Sequence, residues 1–310
     1  MADTSTALGW MSVPLAIIAG TLRGSAPFLF VSLGECLTEK AGKINLGLEG
    51  TLLTGAMTAY AVSFLTKSPW LGVLAAGLAG AGLGLIHAWL SQRPKVSDVA
   101  VGIAMIIFGS GIAFFFGKAF IQPKAIPLPL FEWGNWSSFP QVQAALKVSP
   151  LLLIGIVIAP LMQWFFSSTR WGLYVRAVGD SPSAARAMGI SVVGVRTCAI
   201  VAGSFLAGIG GASLSLYYPG LWAENISSGQ GLMAVALVIF ARWQPIHCLW
   251  AALLFGGAQA IGPALQAVGF DSYYYLFNAA PYIMTLIITI ATCSPRRTLT
   301  GSPGALGTNE

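Results

Sequence analysis

Glu35 and Glu49 stand inside or at the edges of long apolar runs, and the stretch EKAGKINLGLEG from Glu39 to Gly50 breaks two such runs with charges, an amide and glycines. A carboxylate centred in a bilayer costs about 2.5–3.5 kcal/mol on insertion scales, so each such group needs a purpose. The chemistry open to it is contact with a polar solute on its way through, or carriage of a proton or sodium ion. Lipid cannot hydrogen-bond a bare backbone, so an irregular segment at membrane depth survives only within protein or beside a water-filled path. On that reading Gly42–Gly50 lines a pathway, with Asn45 and Glu49 as contacts; the alternative is a plain inner turn whose Lys40 and Lys43 sit among lipid headgroups. A second polar stretch, YYPGLWAENISSGQG, places Glu224 and Asn225 with Ser227, Ser228 and Gln230 between two apolar runs. These side chains either face a substrate vestibule or cap helix ends.

Other chemistries have no footing. Cys36, Cys198, Cys248 and Cys293 form no CxxC pair and have no His at ligand spacing, which excludes a disulfide framework and a metal site and leaves packed thiols. His87 and His247 are isolated at run ends and read as interfacial or packed residues. The glycine-rich strings GLAGAGLG and AGSFLAGIGGA follow no strand, and no GxxxxGK[ST] occurs, so the chain binds no ATP by that route. Small residues in those strings let helix backbones approach closely.

The elements that position these groups are membrane spans. A composition of 56% hydrophobic and 8% charged residues, against about 25% charged in soluble domains, makes the chain a polytopic membrane protein. Its net charge of +6 is the positive-inside excess rather than a nucleic-acid footprint. Apolar runs fall at 11–36, 46–65, 69–91, 97–121, 148–169, 197–218, 230–241, 246–262 and 273–293, nine in all, and eight to ten spans are expected. The 230–241 run is too short for a full crossing. Placing 37–45, 92–96, 170–196, 242–245 and the C-terminus inside collects eleven basic residues against four outside, with Arg23 unassigned. The first run has no basic flank or cleavage site and reads as an uncleaved helix after a short N-terminal tail, residues 1–10. The outer loop 122–147 carries Trp133 and Trp136, which read as an interfacial belt. Residues 11–293 then form a single transmembrane domain, and the polar stretch 294–310 is expected to be disordered.

The inner segment 170–196 contains a helix drawn by its punctuation: Asp180 or Ser181 as N-cap, Pro182 at the first helical position, Gly189 as the left-handed stop. Its small faces, Ala184, Ala185, Ala187 and Met188 with Arg186, suit a groove on another protein; the alternative is a loop helix packed on its own bundle.

The strings SLGECLTEKAGKINLGLEG, TRWGLYVRAVGDSPSAARAMGIS and GLMAVALVIFARWQP, in this order, resemble the permease subunits of ATP-binding-cassette importers of the branched-chain amino acid and simple-sugar permease superfamily, nearest the nucleoside-type permeases. The resemblance covers residues 25–295. It implies an all-α helical bundle of the type II ABC-importer kind in a bacterial inner membrane, with no cofactor on this chain. ATP and Mg would sit on a partner ATPase. A second, different permease subunit and an extracytoplasmic substrate-binding protein are the other implied partners. The short inner helix becomes the coupling helix, which by similarity falls on Ser181, Pro182, Ala184, Ala185, Arg186, Met188 and Gly189. Where the family has an Asn-Gln pair before the fourth run, this chain has Ser97 and Asp98, a departure that bears on substrate if the pair meets it. The expected function is nucleoside import without catalysis, with a simple sugar such as a pentose as the alternative. The rival class is an ion-coupled secondary transporter using Glu35, Glu49 and Asp98; a non-transport scaffold would leave the intramembrane carboxylates unexplained.

Overall fold

A computed structural model of the protein describes residues 12–121, 123–137, 139–266, 279–292 and 301–306. Its helices are α1 (Ser12–Lys40), α2 (Leu48–Thr66), α3 (Pro69–Ser91), α4 (Asp98–Gly117), α5 (Pro140–Ala145), α6 (Pro150–Ser168), α7 (Arg170–Asp180), α8 (Pro182–Ala187), α9 (Val192–Leu216), α10 (Gln230–Phe240), α11 (Pro245–Gln266) and α12 (Ala280–Thr292). Two short strands, β1 (Phe131–Glu132) and β2 (Lys147–Val148), pair antiparallel in the loop before α6. The expected all-α polytopic bundle is thus the observed fold.

Among the described residues six helices, α1, α3, α4, α6, α9 and α11, are long and apolar enough to cross a membrane. The difference from nine apolar runs has local causes. The 230–241 run forms α10, only 11 residues long, and the last run falls partly outside the described residues, leaving the 13 residues of α12. The 46–65 run forms α2, which is 19 residues long but carries Glu49, four threonines and a tyrosine.

Helices α1 and α9 are the centre of the bundle: α1 packs on α11, α9 and α10, and α9 packs on α1, α2 and α3. The glycine strings make this possible. Gly203, Gly208 and Gly211 of α9 meet the backbones of α1, α2 and α3 with no room for side chains between them, the close approach that small residues permit where lipid offers no hydrophobic drive. Large apolar side chains of α4, among them Ile107 and Phe115, remain exposed around the rim.

The loop before α6 lies over one end of the bundle. Tyr60 and Ser63 at the end of α2 donate to the Pro123 and Ile126 carbonyls, and Leu128 N–H donates to Leu216 at the end of α9. The opposite end carries the α1 C-terminus, α7, α8 and the α10–α11 turn. Residues 301–306 pack there too, correcting the expected disorder of 294–310 for this segment: Ala305 is buried and its N–H donates to Gly179 of α7 at 2.8 Å.

Candidate functional site

The first broken segment does return into the bundle. After α1 ends at Lys40 the chain turns back, and Asn45 N–H donates to Glu35 Oε1 at 2.7 Å, one and a half turns inside α1. Asn45 then closes its own turn: Oδ1 accepts from Gly47 N–H at 3.0 Å, and Nδ2 donates to Ser204 of α9 at 3.2 Å. Lys43 stays near the end of the bundle, paired with Asp98 at 2.8 Å and donating to the Ser91 carbonyl.

The second broken segment, 217–229, leaves the end of α9 and runs back into the bundle. Trp222 packs against Gly117 at the end of α4, yet by Ser227 the chain has reached Glu49. The Glu49 carboxylate accepts from the Ser227 hydroxyl, from Gly229 N–H at 3.1 Å and from Gly231 N–H at 2.7 Å. Gly231 N–H is a free donor of the first turn of α10 and Gly229 is its N-cap, so Glu49 caps that helix from another one, with its carboxyl at the positive end of the helix dipole. Gly231 is required there: a Cβ would lie 2.6 Å from Glu49 Cα. Just past the far end of α10, Trp243 Nε1 donates to Glu39. A helix of 11 residues is about 16 Å long, about half of a hydrocarbon core of about 30 Å, so α10 is a half-span by length. Two interrupted segments therefore meet at Glu49 inside the bundle, where irregular backbone is tolerated because protein surrounds it or it borders a path.

Among the four pathway candidates, only Glu49 sits at this junction. Asn45 is buried in its own turn, while Glu224 and Asn225 are exposed on the descending segment. Beside Gln230, which the polar stretch already marked, sequence reasoning missed Gln259 of α11, and it missed Ser25 of α1. Gln230 Nε2 lies 3.5 Å from Gln259 Oε1, and Gln230 Oε1 and Ser25 Oγ are buried without a partner among the described residues. Polar residues within apolar runs were the available signal.

The inner helix α8 has the predicted punctuation. Ser181 Oγ accepts from Ala184 N–H at 3.3 Å, Pro182 occupies the first turn, and Gly189 has φ +79°, the left-handed stop a side chain resists. One expectation needs correction. Ala185 does not belong to the outer surface: it is 1% exposed and packs on Val178 of α7 and Val192 of α9, with Pro182 also buried. The free face consists of Ser183, Ala184, Arg186, Ala187 and Met188. Beside it opens an apolar groove of about 670 Å³, lined by Phe165, Trp171, Tyr174, Met188 and Cys198. Cys198 is exposed, against its expected packing, whereas Cys36 and Cys248 are buried.

A family model described as the permease component of branched-chain amino acid transport systems matches residues 8–292. The chain belongs to this family. The permease is 32% identical to a putative glucose ABC transporter permease of Haloferax volcanii over 262 residues, 81% of this chain and 78% of that protein. It is 32% identical to a guanosine ABC transporter permease of Bacillus subtilis over 290 residues, covering 87% and 90%. A nucleoside ABC transporter permease of Lactococcus lactis is 28% identical over 288 residues, covering 88% and 90%. The chain is therefore a multi-pass transport subunit, and the ion-coupled rival falls away. In keeping with this, Glu35, Glu49 and Asp98 hold three separate partners instead of sharing one ion site.

Proposed function

We propose that the permease carries a nucleoside inward across a bacterial inner membrane as one half of an ATP-driven importer. ATP and Mg bind a separate ATPase, which docks on α8; a second permease and an extracytoplasmic binding protein complete the assembly, and the C-terminus lies on the ATPase side. The observation that carries the mechanism is α8 itself: a capped helix of six residues, anchored inward by Pro182 and Ala185, with a small-residue face turned out. Such a helix is too short to be stable alone, so its rigidity comes from those anchors. Motion of a docked ATPase would thereby reach α7 and α9.

For the substrate, support comes from the nucleoside and guanosine permeases that match nearly end to end. A simple sugar is the second reading, favoured by the glucose permease at equal identity. Uptake of labelled guanosine and of labelled glucose and xylose by the assembled transporter in proteoliposomes separates the two. Guanosine uptake that requires ATP is the expected result; uptake of sugar alone overturns the nucleoside assignment.

Docking is tested by Ala184→Trp. Overpacking of a tight contact costs about 1–3 kcal/mol, or about five- to 150-fold in affinity. A pull-down of the ATPase weakened to that degree, with normal membrane levels, is expected. Unchanged docking and uptake would make α8 a connector only.

A further inference from the structure

We propose that the C-terminal segment Gly301–Leu306 is a latch that couples α8 to the first broken segment, so that the stroke delivered at α8 reaches the junction at Glu49. The inference rests on the docking role assigned to α8 above. Its basis is where this short segment sits. Ala305 N–H donates to the Gly179 carbonyl at 2.8 Å, two residues before the Ser181 cap of α8. Gly304 lies so close to the same strand of chain that a Cβ there would fall 2.6 Å from the Asp180 carbonyl oxygen. The Ala305 side chain, 5% exposed, closes against Gly42, and Leu306 packs on the cluster that includes Leu37, Ala41 and Trp243. At its other end Gly301 lies against the Arg242 carbonyl in the turn between α10 and α11. The six residues therefore touch the approach to α8, the turn after α1 and the end of α10.

Those three places are the ends of one contact chain. Gly179 packs directly on the backbone of Lys40 and Gly42, and Arg196 Nε donates to the Ala41 carbonyl at 3.2 Å, fixing the turn that leads into Asn45. From there Asn45 binds Glu35, and α2 begins with the Glu49 that caps α10. Without the segment, the approach to α8 meets the turn at Gly42 through the Gly179 contact, and the end of α1 meets the α10–α11 turn through Glu39 and Trp243 Nε1; the segment adds a direct tie from Gly179 to Arg242 that does not pass through α1. With it, a displacement of Gly179 pulls on Gly42 and on Arg242 together. Gly301–Leu306 is thus a positioning element: it touches no solute and acts through its neighbours.

The test uses the complete importer in proteoliposomes and reads substrate taken up per ATP hydrolysed. Ala305→Pro removes the donated N–H, and Ala305→Ser keeps it. One hydrogen bond corresponds to about a two- to tenfold shift in how often the latch is closed. Ala305→Pro is expected to lower uptake per ATP by about that factor while the ATPase stays bound and still hydrolyses; deletion of residues 301–310 should lower it at least as far. Ala305→Ser should match the parent. Parental uptake per ATP in the deletion variant overturns the proposal. So does a loss of protein from the membrane common to Ala305→Pro and the deletion, which would make the segment a folding element. If Ala184→Trp leaves docking unchanged, the role of α8 fails first. If it weakens docking while the deletion is neutral, only the latch fails.

Discussion

The junction at Glu49 and the helix α8 are both built from small residues and a few polar ones, but they use them in opposite ways. At Glu49 the polar groups point at one another: a carboxylate from α2, a hydroxyl and the Gly229 N–H from the descending segment, and the Gly231 N–H from α10. At α8 the polar groups finish the helix, through Ser181 and Gly189, and leave Ser183, Ala184, Arg186 and Met188 facing away. The first region spends its polar atoms on holding a break in the membrane closed. The second leaves a surface unmet. The difference teaches that a charge within an apolar run marks structure when its partners are internal, and that the surface left for a partner is the apolar, small-residue one.

The contrast breaks most severely at Glu49. Glu49→Leu strands the Ser227 hydroxyl and two N–H groups at about 1–3 kcal/mol each, so loss of folded protein in detergent and a large fall in Tm are expected. Glu49→Gln, which keeps an acceptor, should fall between that variant and the parent. Next comes the inward side of α8. Ala185→Trp forces bulk between Val178 and Val192 and should cost about 1–3 kcal/mol of stability, visible as a lower Tm before any ATPase is added. Ala184→Trp, one residue away and exposed, should leave Tm within experimental error and change docking alone. Equal Tm values for the two would erase the inward and outward faces of α8.

The smallest effect is expected at the opposite end of the bundle. Lys147, hydrogen-bonded at 2.8 Å, holds the Glu132 carboxyl below its usual value. A depressed folded value contributes stability above the ordinary carboxylate range and loses it as pH falls through the folded value. Both side chains are open to water, so the pair is weak. Lys147→Ala should leave Tm unchanged at pH 7, and the acid limb of a Tm profile should shift only slightly. A clear loss at pH 7 would mean that the strand pair anchors the loop.

How much of this was legible follows from range. The spans came from run length, and the break after α1 from glycines and charges set among apolar residues, because both signals are local. The caps of α8 were legible for the same reason, since Ser181 and Pro182 act within one turn. Its faces were not: over six residues of mostly alanine there is no hydrophobic period to show that Ala185 turns in and Ala184 out. Helix α7 was missed although Trp171, Tyr174, Val175 and Val178 stand at helical spacing, because the basic residues of the segment mark only its side of the membrane. Glu49 was singled out, but its partners lie about 180 positions along the chain, and no local pattern joins them. The folded tail was illegible because Gly301–Leu306 is held largely through backbone contacts, which composition does not record.

Helix α10 carries a consequence for how the protein is made. Eleven residues reach about 16 Å, half the thickness that a span must cover, so this helix cannot settle in lipid unaided with its first N–H groups bare. The group that relieves them belongs to α2, synthesised far earlier. The second break therefore depends on α2, and a chain released after the α11 segment should hold α10 in place only with Glu49 present to receive it.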